Sequence, residues 1–220
     1  MKVVTKDLAN IALEKRFLID ELELTGYFNF YSDELDELRA MCNTLKDGKR
    51  TGGRLKILTM DDNVSLSDNT DGFKDCITLE SVSLKLYDNN STFLLARHFS
   101  GCKSLKCIDL RESEKNRWYY TIDGVLYAHQ GFKSRLVKYP ANKGTEFTIP
   151  EYVAEIDDLA FEDCQLTTLT ISNPIPATCT DDAFKGVNPV TLVIKVPKGC
   201  YESFWVHPVF GKFNIEEMDE

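Results

Sequence analysis

Apolar residues along this chain fall into one phrase that is written three times. Phe73, Cys76, Leu79, Val82 and Leu84 make the first copy, with polar residues between them. Phe99, Cys102, Leu105, Ile108 and Leu110 repeat it at identical spacing. Phe161 and Cys164, then Leu166, Leu169 and Ile171, form a third copy that is one residue shorter after the cysteine. A degenerate copy runs Phe184, Val187, Val190, Leu192. The closing alternation recurs alone as Ile19, Leu22, Leu24, as Leu55, Leu58, Met60, and as Phe147, Ile149.

The last apolar positions of each copy alternate with period two, which marks a strand with one buried face. The phenylalanine and cysteine then lie on the return path, where a short helical or 3₁₀ turn points them inward. A unit of this length cannot enclose its own apolar stripe, but stacked units share one core. The pattern predicts a β-rich α/β repeat: a right-handed solenoid with a parallel sheet of about seven rungs. The rungs start near Ile19, Leu55, Leu79, Leu105, Gly144, Leu166 and Val187, and Val82, Ile108 and Leu169 lie side by side on adjoining ones.

The segments "FEDCQLTTLTI", "FTIPEYVAEIDDLAF" and "IDGVLYAHQGFKSRLVKYP" resemble the BspA-type leucine-rich repeat, and "VPKGCYESFWVHPVFGKFNIEE" resembles its usual terminal segment. The resemblance covers roughly residues 18 to 217 and is strongest from Phe73 onward. It implies a scaffold found widely on bacterial surfaces, often in Bacteroidetes, associated with adhesion and with binding host or microbial partners. It implies no catalytic residues.

The flanks complete a single domain. Residues 1–18 are expected to form an N-terminal helical cap, with Leu8, Ala12, Leu13 and Phe17 on one stripe and Asp7 or Thr5 as N-cap. Rungs one to four occupy 19–110. Within them "YSDELDELRAMC" reads as a helix capped by Ser32, with Leu35, Leu38, Cys42 and Leu45 buried. Residues 111–143 alternate as a hairpin insertion with turns at Asp123-Gly124 and Gly131, ended by Pro140. Later rungs take 144–196. A C-terminal cap takes 197–220, with Tyr201, Phe204, Trp205 and Phe210 covering the last rung.

A net charge of −9 argues against nucleic acid and against docking on anionic membranes. No apolar run is long enough to insert in a bilayer. The N-terminus does not read as a signal peptide, so an exported protein requires that its leader has been removed. The seven cysteines cannot all pair internally, and Cys76, Cys102 and Cys164 share one slot of the phrase, which makes them buried thiols.

No catalytic or metal motif is present, and no cofactor is expected. His98, His129 and His207 fall on different coils. "DDNVSLSDNTDG", with Asp61, Asp62, Asp68 and Asp71, lacks the glycine and closing glutamate of a calcium loop. Asn90-Ser91-Thr92 matches the glycosylation rule, a short motif that arises often by chance. The remaining candidate is the outward ladder Glu23, Thr59, Ser83, Asp109, Thr148, Thr170 and Thr191, flanked by Glu21, Ser81, Cys107 and Thr168. Trp118, Tyr119 and Tyr120 form a rival patch. The expected function is a non-catalytic, surface-displayed or secreted interaction module that binds a protein or glycan. A glycan-processing component and an intracellular scaffold are the alternatives. Two carboxylates, or a histidine with a carboxylate, in one cleft would favour an enzyme.

Overall fold

A computed structural model describes residues 1–26, 33–64, 71–86, 95–111 and 118–219. In chain order the elements are β1 (Lys2–Thr5), a 3₁₀ turn at Leu8–Asn10, α1 (Leu13–Arg16), β2 (Glu21–Leu24) and α2 (Asp33–Met41). A small hairpin, β3 (Leu45–Lys46) and β4 (Lys49–Arg50), precedes β5 (Ile57–Val64), β6 (Ser81–Leu86) and β7 (Cys107–Leu110). Then come β8 (Tyr119–Ile122), β9 (Val125–Gln130), β10 (Lys133–Lys138), β11 (Glu146–Ile149), β12 (Val153–Ile156) and β13 (Thr168–Ile171). The chain closes with β14 (Val193–Val196), α3 (Tyr201–Trp205) and β15 (Asn214–Glu217).

The period-two segments do become parallel strands in register. β1-β2-β5-β6-β7 form one parallel ladder, in which Leu22, Leu58, Val82 and Ile108 occupy one inward row. Each of these four is at most 2% exposed. β11-β13-β14-β15 form a second parallel ladder, with Phe147, Leu169, Ile194 and Ile215 as the equivalent row. Val82 and Ile108 are therefore direct neighbours, but Leu169 sits between Phe147 and Ile194 in the other ladder.

What divides the ladders is the insertion. β8, β9 and β10 form an antiparallel meander that β12 joins in parallel. Both faces of this sheet are used. Tyr119, Leu126, Ala128 and Val137 pack into the core of the first ladder, and Val125, Tyr127 and Leu136 into that of the second. The insertion is thus a partition between two cores. Its Asp123-Gly124 turn has φ of 49° and 74°, the left-handed pair that a two-residue hairpin requires. That turn also closes the edge of β7: Gly124 O accepts from the Ile108 amide at 3.0 Å, and Thr121 Oγ1 accepts from the Leu110 amide at 3.2 Å.

The return path repeats as well. Phe73 and Phe99 stack at 5.8 Å, and Tyr139, Phe161 and Phe184 stand in a column at 5.7 and 5.0 Å. The thiols of the shared slot donate to the coil before them, Cys102 to Phe73 O at 3.0 Å and Cys164 to Tyr139 O at 3.7 Å. The residue preceding each slot is left-handed: Asp75, Gly101, Asp163 and Gly186 have φ between 56° and 78°. Only glycine or a short polar residue takes that conformation readily.

Four expectations are corrected. The N-terminal helical cap does not form. β1 extends the ladder instead, and the chain turns extended again at Ile11, so Leu8 and Phe17 never share a helical stripe. Leu8 is buried, but Leu13 and Phe17 are 66% and 39% exposed. Arg16 takes the inward place and donates to Ile11 O at 3.0 Å and Leu8 O at 2.9 Å. α2 forms with Leu35, Leu38 and Met41 inward, but Asn43 turns left-handed at its end and Leu45 emerges into the β3–β4 hairpin, exposed. In the degenerate copy Asn188 bonds Val190, Thr191 and Leu192 into a turn, so the strand starts three residues late. Ile194 and Val196 are then the buried pair of the strand, with Leu192 buried just before it, while Val190 is exposed. Finally, the C-terminal segment buries Phe204 and Phe210 but leaves Tyr201 and Trp205 outside, and it adds the strand β15. Ser32, Asp68, Asn90, Ser91 and Thr92 lie outside the described residues.

Candidate functional site

The outward positions of the two ladders line up as the alternation requires. In the first, Val4, Glu23, Thr59, Ser83 and Asp109 are successive partners. In the second the row is Thr148, Thr170, Lys195, Glu216. Lys195 therefore replaces Thr191, a direct consequence of the late strand. Glu23, Thr59, Ser83 and Asp109 stand together, Thr148 and Thr170 stand together, and the partition sheet separates the two groups. Of the flanking residues, Glu21, Ser81 and Cys107 share a row with Lys2 and Ile57, and Thr168 lies beside Glu146 and Val193.

Electrostatics tie the first group to a border. Ser83 Oγ donates to Asp109 Oδ2 at 2.8 Å. Asp20, Lys56, Glu80 and Lys106 lie just before consecutive strands and alternate in sign. Glu80 meets Lys106 at 2.7 Å and Lys56 at 3.0 Å. Those two ammonium groups hold the Glu80 carboxyl below the usual range. Arg111, just after β7, reaches Asp61 of β5 across β6 at 2.5 Å. The corresponding border of the second ladder carries hydroxyls, with Thr167 bonded to Thr145.

The rival patch does not assemble. Strand alternation in β8 sends Tyr119 into the first core, leaves Trp118 56% exposed, and turns Tyr120 to the opposite face. There Tyr120 joins a different aromatic group. His129 stacks on Tyr120 at 4.5 Å, Tyr120 on Tyr127 at 5.3 Å, and Tyr152 meets Tyr127 edge-on at 6.5 Å. No local pattern in the sequence places Tyr152 or His129 beside Tyr120; the pairing of separate strands brings them there.

A second feature escaped sequence reading. A cleft of about 730 Å³ opens where the return segments after β12 and after β13 pass the Leu95–Arg97 turn. Glu155, Asp157, Asp158, Asp182 and Arg135 line it. Arg135 Nε pairs with Asp157 Oδ1 at 3.0 Å, Gln130 donates to Glu155 at 2.8 Å, and Thr180 donates to Asp158. Burial outweighs the guanidinium and pushes the Asp157 carboxyl up to about 6. The half-buried Cys179 thiol in the same cleft is pushed up to about 12, chiefly by burial. The acidic run at "AEIDDLAF" was the only available signal, and the fold's convergence on it is non-local.

Of the histidines, His98 is fully buried and its Nδ1 accepts the Leu95 amide at 3.2 Å. His207 Nδ1 accepts the Val209 and Phe210 amides at 3.3 Å each, and burial lowers its pKa. Among the described residues no three His, Cys, Asp or Glu side chains are placed to hold a metal ion. Among them, too, no helix is long and apolar enough to cross a membrane.

Among solved structures, a leucine-rich cell surface protein of Faecalibacterium prausnitzii matches 100% of this chain and 83% of its own, at 15% identity and a TM-score of 0.36. The pneumococcal vaccine antigen PcpA matches 92% of this chain and 68% of its own, at 15% identity and a TM-score of 0.33. No curated protein sequence matches the chain. The BspA type leucine rich repeat region matches in six copies over residues 54–124 and 139–202, which hold β5, β6 and β7 of the first ladder and β11, β13 and β14 of the second. With its β-rich fold, its parallel sheets and its repeated inward rows, the chain belongs to the BspA-type leucine-rich repeat family.

Proposed function

We propose that this chain is a non-catalytic interaction module, displayed on or secreted from a bacterial cell, which binds a protein or glycan. In this reading the coils wind as a right-handed solenoid, and the outward face of its ladders meets the partner. The observation that carries it is the register of Glu23, Thr59, Ser83 and Asp109 on one ladder and Thr148 and Thr170 on the other. These are small polar side chains whose apolar neighbours along each strand are spent on the core. Solenoid sheet faces commonly serve this way. Family membership supports the reading. The test is a screen of host proteins and glycans, repeated with Thr59→Arg, Asp109→Arg and Thr170→Arg. Partner capture that falls in these variants supports it, and unchanged capture moves the site off the sheet.

One observation favours a second reading, a component of glycan processing: four carboxylates share one cleft, and that of Asp157 is raised to about 6. Against it, Asp157, Glu155 and Asp158 already hold partners in Arg135, Gln130 and Thr180. Release of reducing ends from a polysaccharide, abolished by Asp157→Asn and by Glu155→Gln, would establish it.

A further inference from the structure

We propose that the shelf formed by Tyr120, His129 and Tyr152 binds the pyranose ring of an uncharged glycan. The proposal rests on the interaction-module reading and deepens it by naming a ligand class and a site away from the ladder faces.

The shelf is exposed but anchored. Tyr152 is 42% exposed and His129 is exposed, while Tyr127 beneath them is 1% exposed. His129, Tyr120 and Tyr127 form a continuous stack from solvent into the second core, with interplanar angles of 27° and 15°. Tyr120 Oη donates to Ser134 Oγ at 2.6 Å, and Ser134 is the cross-strand partner of His129. The Ser134 amide in turn bonds Tyr152 O at 3.0 Å, which fixes the turn that carries Tyr152. Burial and the neighbouring Tyr120 phenol raise the pKa of Tyr152. Stacking and the Ser134 bond therefore hold Tyr120 and His129 before any ligand arrives, and the edge contact with Tyr127 orients Tyr152, so less side-chain entropy is lost on binding.

The chemistry selects a sugar. A pyranose offers C–H groups on one face and hydroxyls around its rim. The shelf offers the outer face of His129, the exposed ring of Tyr152 and the edge of Tyr120, which lies between His129 and Tyr127, with phenol hydroxyls and an imidazole nitrogen beside them. The phenols and the Ser134 hydroxyl are hydrogen-bonding groups without a fixed charge, so a uronic acid or a basic peptide gains nothing specific from them. Size decides against a protein. Three partly exposed rings offer on the order of 200–300 Å², whereas a stable protein interface needs about 800 Å² from each partner.

The test titrates the full chain with cellohexaose, laminarihexaose, mannohexaose, xylohexaose and N-acetylchitohexaose, with polygalacturonate as a charged control. Binding is followed by calorimetry and by saturation transfer from protein to sugar. The expected result is saturable binding of at least one neutral oligosaccharide in the millimolar range. Tyr152→Ala and His129→Ala should each weaken it roughly three- to tenfold. Tyr152→Phe, which keeps the ring, should retain most of the binding, and Trp118→Ala should leave it unchanged. Far-UV circular dichroism of each variant separates lost binding from lost folding. Absence of binding to all five oligosaccharides overturns the assignment, as does binding that both alanine variants retain. If the chain still captures a partner through its ladder face while the oligosaccharides fail, the shelf falls and the interaction module stands. If both fail, both are lost.

Discussion

Phe161→Ala is the sharpest test of the repeat as a packing device. Phe161 is fully buried in the second core, and its ring meets Tyr139 at 5.7 Å, Phe147 at 6.3 Å and Phe184 at 5.0 Å. Truncating a buried phenylalanine to alanine costs ~3–5 kcal/mol, because the transfer free energy and the residual cavity add. The two column contacts contribute about 0.5–1.5 kcal/mol each beyond area burial, which places this site toward the upper end. The column cannot close over the gap, since its return segments are tied to one another by backbone bonds, the Tyr139 amide to Ala160 O at 2.9 Å and the Phe161 amide to Ala183 O at 2.8 Å. Against a typical 5–15 kcal/mol total the variant stays folded but loses a large share of its margin. The assay is urea unfolding followed by circular dichroism, with Trp118→Ala as an exposed control expected within about 0.5 kcal/mol of wild type. Hydrogen exchange should locate the weakening in β11, β13 and β14 and spare β2, β5 and β6, because the partition sheet separates the two cores. A loss below about 1 kcal/mol, or protection lost equally in both ladders, refutes the reasoning.

Gly101→Ala should cost ~1–2 kcal/mol for its left-handed backbone and more for the added Cβ, which would stand 2.4 Å from Asp75 Oδ1. Gly52→Ala, also left-handed but with no neighbour within 4 Å, isolates the backbone part in the same urea assay. Lys138→Met should cost ~3–5 kcal/mol, since Lys138 is 1% exposed, donates to Leu159 O at 2.7 Å and lies 3.9 Å from the buried Glu162 carboxylate. Adding Glu162→Gln should recover part of that loss. Asp157 titrates at about 6 when folded and near 3.9 when unfolded, so its stabilising contribution is complete below about pH 4 and lost as pH rises through 6. The stability of Asp157→Asn relative to wild type should therefore rise between about pH 4 and 6 and level off above; a flat or falling difference refutes the raised carboxyl.

Where the sequence was legible, one period had one physical meaning. The alternation in "LKILTM" and "ESVSL" could only be a half-buried strand, and Leu58 pairs with Val82 as the phrase implies. The phenylalanine and cysteine slots were legible because identical offsets demand identical surroundings. Illegible segments were those where two readings fit. "NPVTLVIKVP" alternates continuously from Val190 to Val196, so period alone cannot fix where the strand begins; the Asn188 turn does. "KVVT" is too short to announce a strand, while "DLANIALEKRF" carries a helical stripe that the ladder edge and the buried Arg16 override. The cleft and the aromatic shelf were out of reach because each joins residues from separate strands or turns. Cross-strand pairing between β8, β9 and β10, not any local pattern, puts His129 on Tyr120.

That division has a consequence for how such a scaffold can be used. The inward rows, the phenylalanine columns and the left-handed Asp or Gly positions are all committed to holding coils together. The outward rows are not: of Glu23, Thr59, Ser83 and Asp109, the one hydrogen bond among them joins Ser83 to Asp109. A surface pair of this kind contributes little, so substitutions there cost about 0.5 kcal/mol or less. Outward residues can thus change without weakening the fold, whereas a change at Gly101 or Phe161 must be matched on the neighbouring coil. The residues proposed for recognition and those that hold the fold therefore alternate along the same strand. A binding variant such as Thr59→Arg should therefore alter partner capture at an unchanged unfolding midpoint, and a shifted midpoint would mean that the outward row is structural after all.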